Sequence, residues 1–225
     1  MVKTVAKIIN AKSFMGLFEM EYGVTFAVED RISCVLLAAG LSRRMGEDKL
    51  MLPYRGRALL QHAVQLLGDL PVFERIIVTS EGRLGRIELP PGVRAVINPR
   101  PEEGQSGSLR LGLEAASGEW YLFLAADQPL LTVSDLQPLL DLADDRARII
   151  AFPSINGEPR MPALFSACFR DELLSVRGDS GGREVRESNP GSCIEVAPEH
   201  PERFLDIDDV GDYKQIRNSE FGIRN

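Results

Sequence analysis

The feature that most constrains the fold lies at residues 34–52, CVLLAAGLSRRMGEDKLML, where an unbroken apolar run empties into a glycine-containing loop carrying two arginines and a lysine. Val35, Leu36, Leu37 and Ala38 do not alternate with polar residues. A short run of this kind, bounded by turn residues, is an inner parallel strand that needs cover on both faces. Gly40 lets the chain turn sharply, loop amides beyond it can point at phosphate oxygens, and Arg43, Arg44 and Lys49 supply positive charge and directed donors. The arrangement suits a polyphosphate. It has neither the G-x-x-x-x-G-K-S/T spacing of a Walker A loop nor the G-x-G-x-x-G of a dinucleotide fold.

The rest of the chain continues an alternation of strand and helix. Residues 58–68 carry apolar side chains at helical spacing up to a glycine, and 75–79 (RIIVT) read as a β-branched strand. Residues 94–97 (RAVI) give a third strand ending at Asn98. Ser106 and Ser108 precede a helix to about residue 116, and 121–125 (YLFLA) form a strand that ends in Ala126, Asp127, Gln128 and Pro129. With parallel strands and right-handed crossovers, the loops at the strands' C-terminal ends gather on one side. Thr132 is a suitable N-cap for a helix over 133–141, followed by a strand at 149–153. Beyond it come a hairpin-like loop (INGEPRMPALFS), a short helix at 171–176, a glycine-rich turn into another helix, and late strands at 193–196 and 204–207. The polar stretch 214–225 is expected to fray.

At 225 residues with 44% hydrophobic content, one α/β domain is expected. A net charge of -7 and the absence of recurring basic and aromatic clusters argue against nucleic-acid or anionic-membrane binding, whereas acidity suits a magnesium enzyme. Cys34, Cys168 and Cys193 are odd in number and form no C-x-x-C pair, which points to a reduced cytoplasmic setting with buried structural thiols. No apolar stretch approaches the roughly twenty residues of a membrane helix. A signal peptide is not expected, because Asn10, Lys12 and Ser13 interrupt the N-terminal apolar residues. Residues 1–31 precede the signature strand as an added strand pair, an interaction arm or an upstream-start artefact, three readings the sequence leaves open.

Asp127, at the end of an apolar strand, is the strongest catalytic candidate, because phosphoryl transfer needs a hard cation and magnesium prefers carboxylate oxygen. In a strand, Asp206 and Asp208 would share a face, and Asp208 is favoured as second ligand. Lys49 can reach the α- and β-phosphates and Arg44 can grip the leaving group through its fork. Candidate nucleotide contacts are Leu37, Ala38, Ala39, Gly40, Ser42, Arg43 and Gly46 of the loop, Thr79 and Ser80 after the second strand, Asn98 after the third, and Gly104, Ser106 and Ser108 near a helix N-terminus. His62 and His200 stand in no partner constellation, so zinc and a serine-histidine triad are not expected.

Leu37, Ala38, Ala39, Gly40, Ser42, Arg44, Met45, Gly46 and Lys49 match the pattern L-A-A-G-x-S-x-R-M-G-x-x-K, and NPRPEEGQSGSLRLGL, AADQP, GDSGGRE and LDIDDVGDY follow in order. Over residues 32–213 the chain resembles MobA-like nucleotidyltransferases, closest to the molybdenum cofactor cytidylyltransferases. The resemblance implies a Rossmann-like, GT-A-like α/β fold, with a mostly parallel sheet and helices on both faces, flanked here by residues 1–31 and a polar tail at 214–225. It implies Mg2+ on Asp127 and Asp208, transfer of a nucleoside monophosphate to a molybdopterin-type acceptor, and release of pyrophosphate. An L-A-A-G loop is linked in that family to cytidylyl and L-A-G-G to guanylyl transfer, so Ala39 favours CTP over GTP. Two departures fall elsewhere. Arg160, Met161 and Pro162 stand where cytidylyl enzymes usually carry G-H-P, and the D-I-D-T-P-E-D tail is altered to DIDDVGD. Both leave the nucleotide half intact and make Arg160 and Met161 the candidate acceptor contacts. The alternatives are a sugar-phosphate or isoprenoid-precursor nucleotidyltransferase, and a cofactor-binding chaperone serving a molybdenum hydroxylase without transfer activity.

Overall fold

The computed structural model describes residues 17–19, 25–27, 31–40, 46–143, 148–178 and 180–221. In chain order the elements are β1 (Leu17–Glu19), β2 (Thr25–Ala27), β3 (Ile32–Ala38), β4 (Pro53–Tyr54), β5 (Arg57–Ala58), α1 (Leu59–Asp69), β6 (Glu74–Thr79), α2 (Glu81–Leu84), β7 (Val93–Ile97), α3 (Gln105–Ala115) and β8 (Trp120–Ala125). They continue with α4 (Val133–Leu140), β9 (Ile150–Ile155), β10 (Glu158–Pro159), β11 (Ala163–Ser166), α5 (Arg170–Ser175), α6 (Arg183–Ser188), β12 (Cys193–Val196) and α7 (Val210–Phe221). β1 and β2 pair antiparallel, apart from the main sheet.

The eight-stranded main sheet has the order β10-β9-β11-β8-β3-β6-β7, with β12 added on β9. β8, β3, β6 and β7 are parallel neighbours, and β12 is parallel to β9. Only β10 and β11 run against the rest. The expectation of a mostly parallel sheet with helices on both faces is met. β3 explains the apolar run. Its Ile32, Cys34, Leu36 and Ala38 pack into one core layer with Leu60, Val64 and Leu67 of α1 and Leu136, Leu139 and Leu140 of α4. Val35 faces the opposite layer, with Leu109 and Leu113 of α3, Leu173 of α5 and Val185 of α6. A strand sandwiched between two helical layers has no polar face.

α3 lies unusually close to this strand at Gly112. A methyl group there would fall 2.4 Å from Val35 Cγ1 and 3.3 Å from Val78 Cγ2. Because α3 follows β7 after a short connection, its N-terminus lies toward the C-terminal edge of the parallel strands.

Several local expectations are corrected. Residues 204–207 are not a strand: Pro201 opens a 3-10 turn over Pro201–Phe204, and the following residues are irregular. They are held by the Ile207 N–H donating to the Asp127 carbonyl at 2.9 Å, with Ile207 itself fully buried. The tail is not frayed as far as residue 221. α7 packs Ile216 against Tyr54, Leu59 and Ile207, and the Tyr213 hydroxyl donates to the Pro53 carbonyl at 2.6 Å. Asp209 supports its start by accepting from the N–H groups of Gly211 and Asp212 at 2.6 and 3.0 Å. Of the cysteines, Cys34 is buried as expected, but Cys193 is half-buried and Cys168 exposed. Cys168 sits on the 3-10 turn Ala167–Phe169, off the apolar face of β11, with its Sγ 2.8 Å from Ser166 Oγ. Among the described residues no helix is long and apolar enough to cross a membrane.

Candidate active site

Three backbone segments meet at the C-terminal ends of β3 and β8. The first is the stretch after β3. Its residues Ser42, Arg43, Arg44 and Met45 lie outside the described residues; on either side, Ala38 and Ala39 are buried, while Gly40 and Gly46 are exposed. Among the described residues of this stretch, Gly46 has a left-handed backbone, with φ 70°, and Gly40 does not. A 3-10 turn, Lys49–Met51, follows with Asp48 as its N-cap, whose carboxylate accepts the Leu50 N–H at 3.3 Å. The second segment is the turn after β8 that carries Asp127, and the third is the irregular run 205–208.

Lys49 joins all three. Its Nζ donates to Asp127 Oδ2 at 2.8 Å and to Asp208 Oδ1 at 3.1 Å. Burial by itself would lower the Lys49 pKa, but the charge and hydrogen bonds of Asp127 and Asp208 outweigh it and hold it above the ordinary lysine value. Asp206 lies in the same field. Burial, reinforced by the Asp127 and Asp208 charges, pushes its pKa up to about 6 against the opposing pull of Arg160 and Lys49. The acidic run 206–212 therefore divides its work. Asp206 and Asp208 face the site, while Asp209 and Asp212 serve α7, Asp212 accepting the N–H groups of Asp208 and Asp209.

Among the described residues no group of three or more His, Cys, Asp and Glu side chains converges as a ready metal centre. Asp127 and Asp208 converge instead on one cationic nitrogen. Their side chains are 23% and 54% exposed. Two hard carboxylates brought close together are a donor set that magnesium takes.

The nucleotide candidates separate on inspection. Thr79 is buried with its hydroxyl 3.4 Å from the Ala38 carbonyl, and Ser80 begins α2. Ser106 and Ser108 do not precede α3. They lie in its first turn, which starts after Gly104, and both are buried. The Ser106 N–H donates to the Gly178 carbonyl at 3.0 Å, and Ser108 Oγ accepts from Asn98 Nδ2 at 3.0 Å. Asn98 also accepts the Arg100 N–H at 2.9 Å, so these residues brace the wall of the site.

A cavity of about 480 Å3 opens near the end of β3, where Leu37 lines it. Leu37, Leu109, Phe123 and Phe165 give it an apolar floor, and Arg160 and Met161 line it from the segment after the β9–β10 hairpin. α6 contributes Arg183, which donates to Glu187 at 2.6 Å, and Arg186, whose guanidinium lies over the Phe152 ring. Gln128 ties this wall to the segment before Asp206, its Nε2 donating to the carbonyls of Met161 and Phe204 at 3.1 and 3.2 Å.

Sequence reasoning missed Arg83, Gln128, Arg183 and Arg186. Gln128 was within reach through its place between Asp127 and Pro129. Arg83 and Arg186 carry no local signal, since an exposed and a buried arginine read alike in a sequence, whereas Arg183 lies in the segment GDSGGRE.

The sequence profile of the MobA-like NTP transferase domain matches residues 34–193. A probable molybdenum cofactor guanylyltransferase from Bacillus licheniformis is 39% identical over 118 residues, covering 49% of this chain and 57% of that protein. The molybdenum cofactor cytidylyltransferase of Escherichia coli is 27% identical over 81% of this chain and 93% of its own length. Among solved structures, a nucleotidyl transferase from Methanothermobacter thermautotroptrophicus superposes with a TM-score of 0.70 at 25% identity, covering 86% of this chain and 99% of that one.

Proposed function

The chain belongs to the MobA-like NTP transferase domain family, and from that premise we propose that it transfers a nucleoside monophosphate, CMP in preference to GMP, from a nucleoside triphosphate to a phosphorylated molybdopterin-type acceptor, releasing pyrophosphate. The observation that carries this reading is the Lys49 ammonium held between Asp127 and Asp208, with Gln128, next to Asp127, bonded to the Met161 wall of an arginine-lined cavity. An acceptor phosphate oxygen attacks the α-phosphorus in line with the bond to the departing pyrophosphate. Lys49 presents a preorganised positive charge to the oxygens on which negative charge grows, and Arg44 adds a bidentate grip on the leaving group.

Asp127 and Asp208 are the residues that would hold magnesium. When bound there, the ion supplies Lewis-acid neutralisation of phosphate charge. The acceptor enters the cavity, with its ring system over Phe123 and Phe165 and its phosphate toward Arg160. Met161 offers packing and no hydrogen bond. The buried Ala39 side chain of the L-A-A-G segment supports cytosine over the larger guanine. The relatives bear both guanylyl and cytidylyl names, so this preference rests on the loop alone.

The test is pyrophosphate release with CTP, GTP, ATP and UTP, each against molybdopterin, a sugar 1-phosphate and methylerythritol phosphate, with magnesium present. Release with CTP and molybdopterin supports the reading. Release with another acceptor replaces the substrate, and tight pterin binding without release replaces transfer by a carrier role.

A further inference from the structure

We propose that Arg83 is a positioning residue for Lys49, gripping the strand end on one side of the phosphate loop and Asp48 on the other, so that the backbone from which Lys49 leaves is fixed. The inference rests on the transfer reading above only in its kinetic part.

Arg83 lies on α2, and only 6% of it is exposed. A guanidinium is withdrawn from water at high cost unless its donors are met. Here they are met by groups belonging to two different segments. Nε and Nη2 form a fork on Asp48, reaching Oδ2 and Oδ1 at 2.8 Å each. Nη1 donates to the Ala38 carbonyl at 2.6 Å, and Nη2 also donates to the Gly40 carbonyl at 2.7 Å. Ala38 ends β3, and Gly40 lies two residues beyond it. Asp48 is the N-cap of the turn whose first residue is Lys49.

One planar group thus welds the end of an inner strand to the base of the lysine. Lys49 has a long, flexible side chain, and its nitrogen meets two carboxylates from separate segments only if its origin is held. Among the described residues, the side-chain hydrogen bonds of Arg83 go to Asp48, Ala38 and Gly40, and not to Asp127 or the cavity lining. It therefore acts through Asp48 and Lys49. A lysine at position 83 would keep the charge, but it has no planar fork to span Asp48 and both carbonyls.

The experiment compares Arg83→Lys, Lys49→Ala and the double variant in the full chain. Misplacing a charge at the reacting centre lowers kcat, so Arg83→Lys should reduce kcat about tenfold or more while the nucleotide KM stays within about threefold. In the Lys49→Ala background the same change should cost nothing further, because the group it positions is gone. A purely structural arginine would lower activity by the same factor in both backgrounds, in step with the melting temperature, and that result overturns the proposal. Amide hydrogen exchange supplies a reading free of any substrate. Faster exchange confined to residues 46–52 in Arg83→Lys supports the proposal, whereas unchanged exchange there, or loosening spread over β3 and β6, overturns it. If the wild-type chain transfers no nucleotide to any acceptor, the functional reading falls and the exchange result alone decides the role of Arg83.

Discussion

Replacing Lys49 with alanine separates catalytic from structural use of the charged cluster. In the folded chain the ammonium makes two contacts of unequal shielding, one to Asp127 at 2.8 Å, with side chains 14% and 23% exposed, and one to Asp208, whose side chain is 54% exposed. The second is screened by water and contributes at most about 1 kcal/mol. The first is a better-shielded charged hydrogen bond, but deleting the lysine exposes Asp127 to solvent that partly replaces it, so the total loss should be about 2 kcal/mol. For a chain of this size that is about 4–8 °C in Tm. The transition state should lose more. A preorganised donor aimed at developing charge contributes about 3–4 kcal/mol, so kcat should fall by about 10²–10³-fold at saturating substrates. The assay is steady-state pyrophosphate release alongside calorimetric melting of the same preparation. A kcat within about threefold of wild type, with the modest Tm loss intact, would refute the assignment of Lys49 to the reacting centre.

Asp127→Asn should abolish magnesium-dependent CTP binding measured by titration calorimetry, and Asp208→Asn, at the more exposed ligand, should weaken it; wild-type binding by Asp127→Asn would put the metal elsewhere. Arg160→Ala should raise the acceptor KM about tenfold, the loss of one charged hydrogen bond, while the nucleotide Kd stays nearly constant. A defect limited to nucleotide binding would move Arg160 to the other half of the site. Gly112→Ala should destabilise the chain by about 1–3 kcal/mol in urea unfolding, because its methyl group would overlap Val35 Cγ1. Unchanged stability would mean that α3 can shift away from β3 at no cost.

What the sequence made legible was whatever depends on local pattern. The double-sided burial of β3 leaves an uninterrupted apolar run, so Val35–Ala38 could be read as an inner strand before its neighbours were known. Thr132 announced α4 and does cap it, in a reciprocal arrangement with Asp135. Where one or two long-range contacts decide, local pattern misleads. Residues 204–207 have strand-like composition, yet their hydrogen bonds go to the Asp127 carbonyl and from Gln128. α7 is polar almost throughout and is held to the body by Tyr213 and Ile216. The site shows the same division. Asp127 and Lys49 were readable because each ends or follows a recognisable element, and Asp208 was favoured for the right neighbourhood although the strand invoked to orient it does not form. Arg83 was invisible, since its partners at 38, 40 and 48 become neighbours only when β3 and β6 pair.

The most direct measurement follows the fate of the α-phosphate. CTP labelled at the α-phosphorus, and separately at the γ-phosphorus, is incubated with the protein, magnesium and molybdopterin, and the products are resolved. Nucleotidyl transfer predicts α-label in a pterin dinucleotide and γ-label in pyrophosphate, with GTP a poorer donor than CTP. The γ-label in inorganic phosphate, or α-label remaining in CTP while the pterin is bound, would contradict it.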